Sequence, residues 1–226
     1  MTPPTTIESY RSQRDEDAPS EGSVLLRPGA IVLVDMDNTV ARLDTVLERR
    51  WVRRLPHIPK PNFSEIKRMK VQDVLTDKGQ VAEIRKLMYE PGFFRSLPLI
   101  AGARQALQEL RERGVNVFFC TAPMLGRSCP CASEKLDWLR DHFGEWAPEQ
   151  CVITTDKTLV MGDVLIDDNP DIQGVMTPTW KHVYFHQPCN RPEALEAQSI
   201  PLEKRAVARL RRWSDWPQVL RLAPSP

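Results

Sequence analysis

Five short, nearly unbroken apolar runs constrain this chain more than any other feature. They are Ile31–Val34, Val115–Cys120, Cys151–Thr154, Val164–Ile166 and His182–Phe185. Each is too short for a stable helix, and apolar residues follow one another instead of alternating with polar ones. That pattern marks strands buried on both faces. Helix patterns lie between the runs. Ala103, Ala106, Leu107 and Leu110 keep i, i+3, i+4, i+7 spacing, with Gly114 where a C-cap belongs. Leu136, Leu139 and Phe143 do the same and end at Gly144. Strands alternating with helices require crossover connections, so the expected fold is α/β, a Rossmann-like parallel sheet with helices on both sides.

One connection is far too long for a plain crossover. Residues 43–98 are charged and helix-like, broken by the proline-rich bend WVRRLPHIPKPNF, and read as a helical cap inserted in a core of residues 29–42 and 99–226. Ligands in open parallel sheets bind beyond the carboxyl ends of the strands, where a cap leaving the first strand would roof the crevice. Residues 1–28 are polar and rich in Pro, Thr, Ser and acids, and are expected to form a mobile tail.

Composition removes several classes of function. A chain of 226 residues with 31 Lys+Arg against 30 Asp+Glu has a net charge of +1, which offers no field for a nucleic acid polymer or an anionic membrane. No apolar run approaches the ~20 residues that span a bilayer. The N-terminal stretch lacks an apolar signal core, and its acidic residues argue against a presequence, so a cytoplasmic protein is expected. Of the five cysteines, Cys129 and Cys131 form a C-x-C without a second pair at zinc spacing, which fits reduced thiols better than a structural zinc site.

The strand ends carry the chemistry. The first run leads into Asp35-Met36-Asp37-Asn38-Thr39, where carboxylates two apart on extended backbone reach one side. The second run ends at Thr121, the third leads to Lys157, and the fourth ends at Asp167-Asp168. Each group has a use in phosphoryl transfer. One carboxylate can attack phosphorus, and another can protonate the leaving oxygen and then deprotonate water. Carboxylates suit a hard cation such as Mg²⁺, while a lysine and a hydroxyl stabilise the equatorial oxygens.

This set, D-x-D-x-T, then Thr, Lys and D-D, resembles the haloacid dehalogenase-like (HAD) superfamily. EPGFF at 90–94, FFCTAP at 118–123, DKTLVMGDVLIDDNPDI at 156–172, TPTWKHVYF at 177–185 and RWSDW at 212–216 are similar to the 5′(3′)-deoxyribonucleotidases. The resemblance implies a HAD-type core with an inserted cap and magnesium-dependent hydrolysis of (deoxy)nucleoside 5′-monophosphates through an aspartyl-phosphate. It implies Asp35 as nucleophile and Asp37 as general acid/base. Thr121, Ala122 and Lys157 would bind phosphate, and Asp35, the Asp37 carbonyl and Asp168 would bind Mg²⁺ with Asp167 in support. It also implies a homodimer. Two residues depart from the family pattern: Asn38 where glycine is usual, and Ala122 where serine is usual.

The cap matches least. Leu43, Met69, Lys70, Val71 and Tyr89 fall where a base pocket is expected, and of these only Tyr89 is aromatic. Relaxed base preference is therefore expected. Hydrolysis of another small phosphate ester or a phosphoprotein is the alternative activity, and an idle binding module on the same scaffold is the alternative class. Near the C-terminus, RLRRWSDW reads as an amphipathic helix docking Leu210, Trp213 and Trp216 with its arginines solvated.

Overall fold

The computed structural model describes residues 22–66, 75, 77–126 and 129–224. In chain order the strands are β1 (Val24–Leu26), β2 (Ile31–Val34), β3 (Asn116–Thr121), β4 (Cys151–Ile153), β5 (Val164–Asp167), β6 (Lys181–Phe185), β7 (Ala208–Leu210) and β8 (Leu220–Leu222). The helices used below are α1 (Leu43–Arg54), α2 (Lys78–Tyr89), α3 (Ala103–Glu112) and α4 (Cys131–Phe143). Strands β2 to β7 form one sheet in the order β4-β3-β2-β5-β6-β7, and every neighbouring pair is parallel. The chain winds outward from β2 through β3 to β4, then returns to β5 and winds the other way. The carboxyl end of β2 therefore sits at the topological switch point, where a crevice opens.

Both sheet faces are apolar, and strand periodicity divides the residues between them. Val32, Val34, Val117, Phe119, Val164 and Ile166 belong to the large core that also holds Ala103, Leu107 and Leu110 of α3 and Trp138 and Leu139 of α4. Their neighbours Leu33, Cys120 and Leu165 form a smaller cluster with Trp180 on the opposite face. The stretch between β2 and α3 carries α1 and α2. Arg50 of α1 donates to Glu90, the Leu87 and Gly92 carbonyls and Ser96, joining that helix to the segment leading back toward the sheet.

Two expectations are corrected. The tail does not run through residue 28, because Val24–Leu26 pair in parallel with Leu220–Leu222 and bury Val24 and Leu26. Val24 and Leu26 turn inward while Leu25 faces outward, the alternation of a strand with one buried face. The RLRRWSDW segment is not an amphipathic helix. Its start is β7, paired to β6, followed by a 3₁₀ turn at Trp213–Asp215 and a four-residue helix at Trp216–Val219. Leu210, Trp213 and Trp216 are buried as expected, but so is Arg209. Residues 208 and 210 alternate with arginines, a period of two that β6 can satisfy by backbone pairing.

Candidate active site

The carboxyl ends of β2, β3 and β5 bring the expected polar residues together. Asp35 follows β2 directly, with its N–H donating to the Ile166 carbonyl of β5 at 2.9 Å. The chain then closes a tight loop in which the N–H groups of Thr39, Val40 and Ala41 all donate to the Met36 carbonyl. Asn38 supports that loop with φ +56°, in the left-handed region that Asn tolerates better than most residues. Its Oδ1 accepts the Asp44 N–H at 3.1 Å and secures the start of α1.

Two buried ammonium groups organise the site. Lys157 opens a 3₁₀ turn after β4, and its Nζ donates to Asp35 Oδ1 and Asp167 Oδ2 at 2.5 Å each. Lys135, on α4, donates at 2.8 Å to each of three acceptors: Asp37 Oδ2, Thr121 Oγ1 and the Ala122 carbonyl. Lys135 is absent from the sequence-based site because a lone lysine reads as a solvated surface residue. Its signal lay in the helix period: Cys131, Lys135, Trp138 and Leu139 share the buried face of α4, so position 135 points inward. Glu134 beside it is also buried and accepts the Gly92, Phe94 and Arg95 N–H groups. That contact fixes the EPGFF segment against α4.

The carboxylates exceed the cations. Asp35, Asp37, Asp167 and Asp168 face only Lys135 and Lys157 in the contacts above, and Asp35, Asp167 and Asp168 place an oxygen each within 4.8 Å of one another. Burial raises the Asp35 carboxyl above its ordinary value, with Lys157 opposing and Asp167 adding to the rise. Burial also raises Asp37, with Lys135 opposing. Asp168 is pushed well above its ordinary value, by burial first and then by Asp167 and Asp35. Burial works against the charge on Lys157, yet Asp167 and Asp35 outweigh it and hold the ammonium above its ordinary value. Asp168 Oδ1 and Asp37 Oδ1 are buried without a partner among the described residues. Buried polar atoms normally find partners, so two orphans in one crevice indicate a ligand. A hard oxygen-preferring dication fits this donor set, since it would satisfy Asp168 Oδ1 and balance the excess negative charge.

The base-pocket residues are less coherent. Leu43 opens α1 and packs partly buried against the large core. Tyr89 closes α2, and its hydroxyl donates to the Leu125 carbonyl at 3.2 Å beyond β3. Met69, Lys70 and Val71 lie outside the described residues.

Residues 29–199 match the family model described as "5' nucleotidase, deoxy (Pyrimidine), cytosolic type C protein". The human cytosolic 5'(3')-deoxyribonucleotidase is 35% identical over 194 residues, covering 84% of this chain and 92% of that protein. The chain belongs to the 5'(3')-deoxyribonucleotidase family. The human mitochondrial enzyme of that name is 33% identical over 195 residues, covering 84% of this chain and 81% of its own. A haloacid dehalogenase-like protein of unknown function from Agrobacterium tumefaciens superposes with TM-score 0.54 at 12% identity, covering 84% of this chain and 96% of that one. Its likeness establishes the HAD-type fold. Family membership makes this chain a nucleotidase-like hydrolase of phosphoric monoesters.

Proposed function

We propose that this protein is a Mg²⁺-dependent phosphomonoesterase acting on (deoxy)nucleoside 5′-monophosphates through an aspartyl-phosphate on Asp35. The observation that carries this reading is the convergence of Asp35, Asp37, Thr121, Lys157 and Asp168 at three strand ends and the turn after a fourth, with buried oxygens on Asp37 and Asp168 that find no partner among the described residues. Asp35, Asp168 and the Asp37 carbonyl would hold Mg²⁺, with Asp167 in support. When bound, the ion offsets the repulsion between carboxylate and phosphate.

The chain's own residues perform the remaining steps. Lys157 holds Asp35 Oδ1, which leaves Oδ2 to attack phosphorus. The phosphorus–oxygen bond to the nucleoside breaks, and Asp37 gives its proton to the departing 5′-oxygen. Asp37 then takes a proton from water, whose oxygen attacks the acyl phosphate, releasing inorganic phosphate and restoring Asp35. The Thr121 hydroxyl, the backbone at Ala122 and Lys157 receive the phosphoryl oxygens.

Tyr89 is the one aromatic side chain among the base-pocket candidates Leu43, Met69, Lys70, Val71 and Tyr89, which supports relaxed base preference. A homodimer is supported by an exposed apolar patch of Leu159, Met161, Val175 and Met176. The patch lies on two segments tied together through Thr158 and Asp156. No helix among the described residues is long and apolar enough to cross a membrane. The name of the human cytosolic relative supports a cytoplasmic location. The test is phosphate release from dUMP, dTMP, dAMP and 4-nitrophenyl phosphate with Mg²⁺ or excess chelator. Mg²⁺-dependent turnover of the nucleotides that disappears in Asp35→Asn is expected. Full activity in chelator or in that variant refutes the mechanism, and turnover of the generic ester alone moves the substrate to another phosphate ester.

A further inference from the structure

Asp168 poses a mechanical problem. Its carboxylate is buried, repelled by Asp167 and Asp35, and its Oδ1 has no hydrogen-bond partner among the described residues. Left to itself, such a side chain would turn away, so its backbone must be held firmly. The Asp168 carbonyl accepts Asn190 Nδ2 at 2.9 Å, and Asn190 is completely buried in the 3₁₀ turn after β6. The other Nδ2 hydrogen goes to the Phe185 carbonyl at 2.8 Å. Asn190 Oδ1 accepts the Gln187 N–H at 3.1 Å and Arg209 Nη1 at 2.7 Å. Arg209 Nη2 also donates to the Asn190 carbonyl at 2.9 Å. The amide thus faces two donors with its oxygen and two carbonyls with its nitrogen, so all four bonds are made and its orientation is set. Arg209 comes from β7, on the edge of the sheet.

We infer that Asn190, oriented by the buried Arg209 of the edge strand, is a positioning residue that fixes Asp168 for Mg²⁺. The inference rests on the metal reading above. Removing a group that orients a metal ligand typically weakens metal binding by roughly 10–100-fold. Neither residue is proposed to touch the ion or the substrate.

The test measures metal binding directly. Free Mn²⁺ is followed by electron paramagnetic resonance as the full-length protein is titrated, and Mg²⁺ is then used to compete it off. Asn190→Leu keeps the side chain's size without adding charge, and Arg209→Lys keeps the charge while losing the fork. Both should weaken Mn²⁺ and Mg²⁺ binding, Asn190→Leu by about 10-fold or more, and the Mg²⁺ concentration for half-maximal activity should rise by the same factor. Circular dichroism checks that each variant is folded. If Asn190→Leu does not fold, Arg209→Lys decides, with weaker Mn²⁺ and Mg²⁺ binding than the wild type expected. Wild-type affinity in a folded variant overturns the inference while leaving the metal reading intact. Absence of Mn²⁺ binding in the wild type overturns the metal reading and this inference with it.

Discussion

Lys135 offers the sharpest probe of the proposed chemistry, because its three hydrogen bonds join the candidate acid to the phosphate side of the site. Its ammonium is buried and pairs with Asp37, which, against the opposing effect of burial, holds it above its ordinary value and therefore charged at neutral pH. Lys135→Met keeps the stem's bulk and deletes the donors. A hydrogen bond to a charged group contributes about 1.5–3 kcal/mol. If that energy orients Asp37, its loss lowers the rate of the protonation step by roughly 10–150-fold, at about 1.4 kcal/mol per decade. The leaving group separates this effect from others. A nucleoside 5′-alkoxide needs the proton from Asp37, whereas 4-nitrophenolate departs as a stable anion. The kcat/KM for dUMP should therefore fall by roughly 10–150-fold, and that for 4-nitrophenyl phosphate by less than about threefold. Both are measured by phosphate release on protein of verified circular dichroism. An equal fall on both esters would show that Lys135 serves phosphate binding or folding, and the orientation argument would be wrong.

Three further outcomes are expected. Asp168 is pushed up by burial and its carboxylate neighbours, so the metal-free folded state binds a proton there more tightly than the unfolded chain, and stability falls as pH rises above the ordinary carboxylate value. Asp168→Asn removes that penalty: without metal its Tm at pH 7 should rise, by about 2–4 °C per kcal/mol relieved, and the Mg²⁺-induced rise of the wild type should vanish; a lower Tm refutes this. The half-buried His182 has a solvent-closed Nε2 without a partner among the described residues, and burial, aided by Lys157, lowers its pKa to about 3. The unfolded chain therefore binds the extra proton first, and stability is lost as pH falls below about 6.5, by up to about 2 kcal/mol at pH 5 before residual solvent screening. His182→Phe should lose less Tm than wild type between pH 7 and 5, and equal losses would assign the acid sensitivity elsewhere. Finally, Met161→Asp with Val175→Asp should convert a dimer to a species near 25.9 kDa by light scattering, and an undisturbed dimer would move the interface off this patch.

What the sequence revealed, and what it hid, follows from solvation. Strands β2 to β6 are legible because a parallel sheet covered on both faces needs consecutive apolar residues, and few other structures do. β7 is not, because Arg209 and Arg211 interrupt the apolar run, and a buried arginine looks like a solvated one until its acceptors are known. The same blindness hid Lys135. Asp35, Asp37, Thr121, Lys157, Asp167 and Asp168 were findable because each follows an apolar run closely, at the end where an α/β sheet binds ligands. The stretch between β2 and α3 offered no such frame. Its helices are tied to each other and to the sheet by side-chain contacts, Arg50 with Glu90 within the stretch and Tyr89 with Leu125 beyond β3, which depend on tertiary geometry and leave little trace in periodicity.

Asn38 shows how a departure from the family pattern can preserve the geometry it replaces. Its N–H donates to the Ala41 carbonyl at 2.7 Å, fixing the peptide plane that aims the Asp37 carbonyl, the proposed metal ligand. Glycine would accept φ +56° without strain, but would lose the Oδ1 bond to Asp44 and add freedom to the unfolded chain. Those losses together cost about 1 kcal/mol in Asn38→Gly. Alanine loses the same cap and adds about 1–2 kcal/mol of left-handed strain. Thermal unfolding should therefore rank wild type above Asn38→Gly and Asn38→Ala lowest, with the glycine variant about 2–4 °C below wild type. An alanine variant as stable as the glycine one would mean that the loop relaxes out of the left-handed region at little cost. The Asp37 carbonyl would then be aimed by the Ala41 bond and by the Gln187 Nε2 bond to the Asn38 carbonyl at 2.6 Å, not by the backbone conformation of residue 38.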